Sequence, residues 1–327
     1  MDLDNETPFA ARLLRYQPTE DGPVQATVVA KATFERAPDG GTWTPAAEQL
    51  PIINDMLETP FGVFHGDNFV RKEGVDVCVL GTVRTPRPMR AAQLSLSVGR
   101  HLSEVIVFGD RQWVKTGSRL VASGPLAFEE MPLAYTHAYG GKTPYDYETA
   151  IWPDNPLGRG YYLTPEAAEG QPLPNIEQGR GSLVREWSDQ IAVAGWGPYP
   201  CYWGIRAREG VEPAAQIKDG DFGRIKARLN NNAHSSLIVA EVPPDAEIRI
   251  RGMQPGELVF TVPPFAPVIE ARTGERIVEA RGQLDGVFLW TDAQRVTVTH
   301  RLQFSYAYEK GQRRRARLID ATPRKRA

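Results

Sequence analysis

The sequence predicts a mainly β protein whose antiparallel sheets form two sandwich-like lobes, with a long, ordered, loop-rich segment between them. Three observations support this prediction. Hydrophobic residues alternate with polar ones near both ends, glycine and proline concentrate in the centre, and no amphipathic helix exceeds about three turns. The chain has 327 residues, of which 41% are hydrophobic, and this is enough to bury a substantial core.

Alternation with a period of two is clearest in four stretches. Successive strand residues point to opposite faces of a sheet, so this pattern is typical of half-buried, mostly antiparallel strands. We therefore expect strands at 26–34, 75–83, 94–98 and 296–306. Turn residues stand between the expected strands at Pro38-Asp39-Gly40-Gly41, Gln254-Pro255-Gly256-Glu257 and Asp285-Gly286.

The central segment, residues 124–234, combines glycine and proline with aromatic residues and holds eight of the 11 tyrosines. A flexible linker would not carry this many aromatic side chains. We expect ordered loops that aromatic packing holds over a β scaffold, and long ordered loops in compact proteins are usually functional.

These patterns divide the chain into one domain and a tail. The expected domain is 8–309, with a β lobe at 8–123, the central segment at 124–234 and a second β lobe at 235–309. Residues 310–327 hold eight basic side chains and one acidic one. With almost no apolar surface to bury, this basic tail is expected to be solvated and dispensable for folding.

Charge and the amino terminus narrow the functional classes. The net charge is −2, and the basic tail has no interleaved aromatic side chains to stack bases, so nucleic acid is not an expected partner. The acidic start, Met1 to Glu6, is unlike a signal peptide, and the longest uncharged stretch, 190–205, contains two prolines. We expect a cytoplasmic protein with no membrane partner.

The search for catalytic motifs predicts that the protein is not an enzyme and carries no cofactor or metal. No phosphate-binding loop, dinucleotide fingerprint or Gly-x-Ser-x-Gly elbow occurs. The five histidines stand singly and the two cysteines form no Cys-x-x-Cys pair. Asp219-Gly220-Asp221 starts like a calcium loop, but Asn230 stands where such a loop needs glutamate. We expect His300 to be a hydrogen-bonded core residue and His65 to be exposed in a loop.

A series of short motifs is more specific. Gly109-Asp110-Arg111-Gln112-Trp113 is followed by Met131-Pro132-Leu133-Ala134-Tyr135, and Gly195-Trp196-Gly197-Pro198 comes later. Between them stand Asn155-Pro156-Leu157-Gly158-Arg159-Gly160 and Leu173-Pro174-Asn175-Ile176-Glu177. This ordered series resembles the bacterial domain-of-unknown-function family 2169, over roughly residues 8 to 310. We expect the following motif residues to have structural roles: Gly109, Asp110, Arg111, Trp113, Asn155, Pro156, Gly158, Gly160, Pro174, Asn175 and Glu177.

The resemblance implies a non-catalytic adaptor, or chaperone, of the type VI secretion system. Such an adaptor binds a toxic effector near its PAAR-repeat or N-terminal region and helps to place it on the valine-glycine-repeat spike. The effector is therefore the expected partner, with the spike as a further one. The chain departs from the family after Arg206, where a Gly-Thr-Tyr-Asp type segment is missing, so the identity of the cargo stays open.

Aromatic residues of the central segment are the expected partner contacts, because interfaces favour tyrosine and tryptophan at their buried centres. The candidates are Tyr135, Tyr139, Tyr161, Tyr162 and Trp196. The same side chains also serve as core filler. An alternative function is a carbohydrate- or cell-wall-binding β module, or a hydrolase acting there, because aromatic loops on a β scaffold suit sugar stacking.

Overall fold

The computed structural model describes residues 1–19, 22–36, 42–179, 182–210, 226–244, 246–308 and 311–322. The expected mainly β class is confirmed, and the helices are short: α1 (Pro165–Ala168) and α2 (Gly204–Gly210). The strands before residue 135 are β1 (Asp2–Asn5), β2 (Ala10–Tyr16), β3 (Val24–Arg36), β4 (Trp43–Pro45), β5 (Met56–Thr59), β6 (Gly62–His65), β7 (Val75–Leu80), β8 (Thr82–Met89), β9 (Ala91–Val98), β10 (His101–Phe108), β11 (Trp113–Thr116), β12 (Arg119–Ala122) and β13 (Phe128–Pro132). The later strands are β14 (Tyr139–Gly140), β15 (Lys142–Tyr145), β16 (Glu148–Ile151), β17 (Arg159–Gly160), β18 (Ile176–Gln178), β19 (Ile238–Val239), β20 (Glu247–Arg251), β21 (Glu257–Thr261), β22 (Pro267–Thr273), β23 (Arg276–Arg281), β24 (Gln283–Trp290), β25 (Arg295–Tyr306) and β26 (Arg314–Asp320).

The largest sheet has the strand order β19-β7-β24-β25-β3-β2, with β4 paired to β3. Its two longest strands, β3 and β25, run antiparallel over nearly their whole lengths, from Val24 opposite Tyr306 to Glu35 opposite Arg295. Strands β7 and β24 pair in parallel, whereas most other pairs are antiparallel. Strands from both ends of the chain therefore share one sheet.

The second sheet, β18-β10-β9-β20-β21, mixes the chain in the same way. Strands β9 and β10 come from the first part of the chain, β20 and β21 from the last part and β18 from the centre. The expectation of separate lobes at 8–123 and 235–309 is therefore wrong. The physical reason is that period-two alternation reveals strands and their buried faces, but not which strands pair.

The basic tail differs from expectation as well. Strand β26 lies between β1 and β22 in a four-stranded sheet that ends at β23. Ala316 and Leu318 alternate with arginines along β26, and both are fully buried. The period-two pattern was present but hidden among basic residues, whose side chains line the other face. Residues 309–310 and 323–327 lie outside the described residues.

Two local expectations also change. Asp285-Gly286 is not a turn but lies inside β24, where the register with β25 shifts between Leu284 and Gly286, as in a β-bulge. The bulge leaves Asp285 without a partner residue in the ladder. The predicted turn at Pro38–Gly41 lies outside the described residues, and Gly256 stands between β20 and β21 as expected.

The central strands are buried on both faces, not on one. Lys31 and Thr33 of β3 and Thr297, Thr299 and Arg301 of β25 are buried although they lie opposite the apolar face. The loop after β4 covers them: Pro51 accepts a hydrogen bond from Lys31, and Leu50 donates its N–H to Thr33. A polar layer thus lies inside the protein, beneath the segment 49–72.

Candidate partner-binding surface

The family-like motif at 109–113 and those of the central segment meet in one largely buried polar network. Arg111 forms an ion pair with Glu177, whose other carboxylate oxygen accepts the N–H of Val184 at 3.0 Å. Asn175 donates to the carbonyl of Phe108 at 3.1 Å and to the Asp110 carboxylate at 3.0 Å. Arg111, Asn175 and Glu177 therefore tie one loop to another. Burial raises the pKa of Glu177, while the neighbouring Arg111 opposes that rise.

Asn155 also ties segments together, in this case those of the loop that precedes it. Its side-chain amide donates to the carbonyl oxygens of Tyr135 at 2.8 Å and Tyr139 at 3.0 Å. Gly160 has a φ of +100°, and a Cβ at this position would stand 2.6 Å from the Pro174 ring. Asn155 thus holds the segments around Tyr135 and Tyr139 by hydrogen bonds. Gly160 allows a close approach to Pro174 that a residue with a side chain would prevent.

Three of the expected contact residues are core residues instead. The exposed fractions of Tyr135, Tyr139 and Trp196 are 2%, 1% and 0%. Tyr135 packs edge-on against Tyr199 and donates its hydroxyl to the carbonyl of Gly197, and Trp196 donates its indole N–H to Ser103. Such side chains cannot touch a partner while the protein stays folded, so the expected role of these three residues is corrected to packing.

Tyr161 and Tyr162 are half-buried and belong to a second aromatic cluster. This small core is separate from the main one and consists of Trp113 and residues of the central segment. Tyr161 packs on Trp152 with ring centroids 5.2 Å apart, and the hydroxyl of Tyr162 donates to the carbonyl of Pro172. Burial raises the pKa of Tyr162 to about 12. The buried members of the cluster are Trp113, Tyr139, Ala168, Leu173 and Val184.

A hairpin projects from this second core into solvent. It consists of β15 and β16, and we call it the tyrosine hairpin, residues 142–151. At its base Thr143 is buried, whereas Tyr145 is 52% exposed and Tyr147, in the turn, is fully exposed. Asp146 has a φ of +51° and makes the tight turn between them. Ile151 and Leu157 add exposed apolar side chains nearby in the chain.

The base of the tyrosine hairpin is fixed by the motif network. Trp152 donates its backbone N–H to Gly141 at 2.9 Å, and Gly141 donates to the carbonyl of Asn155 at 2.8 Å. The hairpin therefore stands on the buried turn that Asn155 organises. Aromatic side chains on a fixed base lose little conformational freedom when they bind, which favours a contact surface.

A family model described as "Uncharacterized protein conserved in bacteria (DUF2169)" matches residues 21–301. The chain belongs to this family. The match spans the whole second sheet, the whole central segment and the largest sheet except β2 and the end of β25, so the motif network and the tyrosine hairpin lie within the family domain. No curated protein and no solved structure matches the chain.

Other features of this family member concern metals, histidines and membranes. No group of three or more potential metal ligands occurs among the described residues. His300 is buried as expected, but its Nδ1 has no hydrogen-bond partner in the described part of the chain, and His65 is buried, not exposed. Asp219-Gly220-Asp221 lies outside the described residues. Within the described ranges, no helix has the length and apolar character needed to cross a membrane.

Sequence reasoning missed the residues that are most available to a partner. The signal was present in Pro144-Tyr145-Asp146-Tyr147-Glu148, where a turn residue stands between two tyrosines. A tyrosine in a turn is more exposed than one beside a strand end, and that distinction separates Tyr147 from Tyr135. Tyr145 and Tyr147 now replace the buried residues as the candidate contacts.

Proposed function

We propose that this protein is a non-catalytic adaptor, or chaperone, for a type VI secretion effector. It binds the effector through a PAAR-repeat or N-terminal region and helps to load it on the valine-glycine-repeat spike. The observation that carries the proposal is the tyrosine hairpin, which presents aromatic side chains to solvent within the family domain. The motif series that resembles such adaptors supports it further.

Exposed aromatic side chains are what a binding surface needs. Tyrosine is enriched among the residues that dominate binding energy, because its ring is large and rigid and its hydroxyl still finds polar partners. The side chain of Tyr147 is fully exposed, so its whole surface is available for burial in a complex. A specific complex buries about 1,200 Å² or more, so the hairpin would form the centre of a wider interface.

Co-expression with the effector-bearing protein encoded beside this chain tests the proposal. We expect a stable complex in size-exclusion chromatography. Tyr147→Ala should weaken the complex by about 1–2 kcal/mol without changing the stability of the free protein. Tyr16→Ala is the matched control, because Tyr16 is also exposed but lies on β2, in the large sheet. Its complex should match that of the wild type.

Two outcomes separate the function from the site. If no complex forms with any neighbouring gene product, the adaptor function is wrong. If the complex forms but Tyr147→Ala and Tyr16→Ala bind alike, only the assignment of the hairpin fails.

A sugar-binding module is the second candidate, because the exposed pair Tyr145 and Tyr147 would also stack on sugar rings. Sedimentation with insoluble cell wall distinguishes the two. Retention of the wild type, lost in Tyr147→Ala, would favour sugar binding over an adaptor.

A further inference from the structure

Strand β2 ends the largest sheet, and no strand among the described residues pairs with its outer side. It has seven residues. In the three described sheets with more than two strands, the other end strands are shorter: β1, β18, β19, β21 and β23. A long sheet edge presents a row of unpaired main-chain N–H and C=O groups, which is a template for another strand.

The side to which each main-chain group of β2 points follows from its pairing with β3. In an antiparallel pair, the N–H and C=O of one residue point to the same side, and successive residues alternate. Thr33 of β3 accepts the N–H of Ala46, after β4, at 2.9 Å, whereas Arg36 donates its N–H to Gln294, before β25. Odd-numbered residues of β3 therefore bond towards β2. Their partners in β2 are Ala10, Arg12, Leu14 and Tyr16.

The other three residues of β2, which are Ala11, Leu13 and Arg15, therefore point their N–H and C=O groups away from the sheet. No hydrogen bond between described residues uses these groups. Ala11 and Leu13 are half-buried, with side chains that pack on the main core, and Arg15 is exposed. The edge is therefore accessible, and an extended strand is the partner that matches its alternating donors and acceptors.

The sequence of β2 fits a second copy of itself. A two-fold axis at Leu13 places the two Leu13 residues opposite each other and Ala11 opposite Arg15 of the second copy. Every outward N–H then meets an outward C=O. Arg12 stands opposite Leu14 in this register, so no arginine is directly opposite another.

Symmetry also favours a second copy over a strand from a different protein. Two identical edges that pair about a two-fold axis close each other, whereas a foreign strand would bring a further open edge of its own. The half-buried Leu13 side chains, which lie on the same face of the joined sheet, would also cover each other across the axis.

We propose that β2 is a dimer interface, at which two copies of this chain pair edge to edge and join their largest sheets into one. The inference does not depend on the adaptor function. The dimer carries two tyrosine hairpins.

Sedimentation velocity of the full chain over a range of concentrations measures the association. We expect a dimer, and we expect Ala11→Pro to raise its dissociation constant about tenfold or more, because proline cannot donate a hydrogen bond. The N–H of Ala11 points outward, so this change leaves the bonds to β3 intact. Ala11→Ser is the matched control, since it keeps the N–H and nearly the size of the side chain, and it should associate like the wild type.

A cysteine on the axis tests the register. Residues opposite each other in a hydrogen-bonded antiparallel pair have Cα atoms about 5.5 Å apart, which suits a disulfide. Leu13→Cys should therefore form a covalent dimer on mild oxidation, seen on a non-reducing gel. Leu14→Cys is the matched control and should not, because position 14 stands opposite Arg12. The wild type gives the background from Cys78 and Cys201.

Circular dichroism melting shows whether each variant is folded. A wild type that sediments as a monomer at its highest soluble concentration overturns the proposal. Equal association of wild type and folded Ala11→Pro overturns it as well. A dimer in which Leu13→Cys and Leu14→Cys cross-link alike also contradicts it, because the two copies would then meet elsewhere or in another register.

Discussion

At the scale of single residues, His300 makes stability depend on pH. It is buried against the ring of Phe265, and burial lowers its pKa to about 4, below the ~6.5 of a free histidine. The unfolded chain therefore takes up a proton at this residue before the folded one does, so stability is lost as the pH falls from about 6.5 towards 4. The expected loss from this residue between pH 7 and pH 5 is about 2 kcal/mol.

Urea unfolding of wild type and His300→Gln at both pH values measures this effect. The variant should be less stable at pH 7 and should lose less stability on acidification. Comparing the two pH slopes cancels the other titrating groups, among them the buried Asp285, whose pKa burial raises. Equal slopes would show that His300 stays accessible to protons in the folded state.

Single residues also show which structural features a local sequence pattern predicts and which it does not. The motif resemblance to the family correctly selected residues with structural roles in the central segment. Two of them, Asn155 and Glu177, tie loops together by hydrogen bonds. Whether a particular aromatic side chain faces the core or solvent depends on contacts far along the chain. Tyr135 is covered by Tyr199 and Trp203, more than sixty residues away, and no local pattern encodes that cover.

At the scale of elements, β26 overturns the expected independence of the tail. Burying a leucine side chain stabilises a protein by about 1.5–3 kcal/mol, and Leu318 is fully buried in β26. The strand also pairs with both β1 and β22, and Arg315 and Arg317 form exposed ion pairs with Asp4 and Glu6 of the amino terminus. Exposed pairs contribute little, so we attribute the stability chiefly to burial and strand pairing.

Truncation tests this assignment. A chain ending at Tyr308 should lose several degrees of melting temperature or become insoluble, because β1 and β22 each lose their shared partner. A chain ending at Thr322 keeps β26 and serves as the control, which should melt like the full-length protein. Equal melting temperatures for both truncations would mean that β26 contributes nothing to folding.

Elements were easier to predict than their pairing. The expected strands at 26–34, 94–98 and 296–306 coincide with parts of β3, β9 and β25, because alternation in the sequence directly reflects the two faces of a strand. Lys31 and Arg301 were the exception. The strands were expected to be half-buried, whereas the segment 49–72 covers the faces that carry these two residues and makes them the buried polar layer.

At the scale of the whole molecule, the two large sheets make the ends of the chain interdependent. Strand β3 pairs with β25, β7 with β24 and β9 with β20, so each of these contacts joins residues before 99 to residues after 246. Long-range pairing of this kind is slow to form, because the entropy of closing a long loop is lost before the contacts compensate for it. Neither end has a complete sheet of its own to fold around.

Expressing the chain as two separate fragments tests whether the two ends depend on each other to fold. Gly210 accepts a hydrogen bond from the backbone N–H of Lys226 at 2.9 Å, so fragments 1–210 and 226–327 have adjoining ends in the fold. Expressed alone, each fragment should be insoluble or lack a cooperative melting transition, since the edges of β3, β7 and β9 would expose unpaired backbone groups. Expressed together, the fragments should copurify as one β-rich complex with a single transition. A fragment covering 8–123 or 235–309 that folds cooperatively by itself would instead support two separate lobes, because the strand pairs that cross between the ends would then be unnecessary for stability.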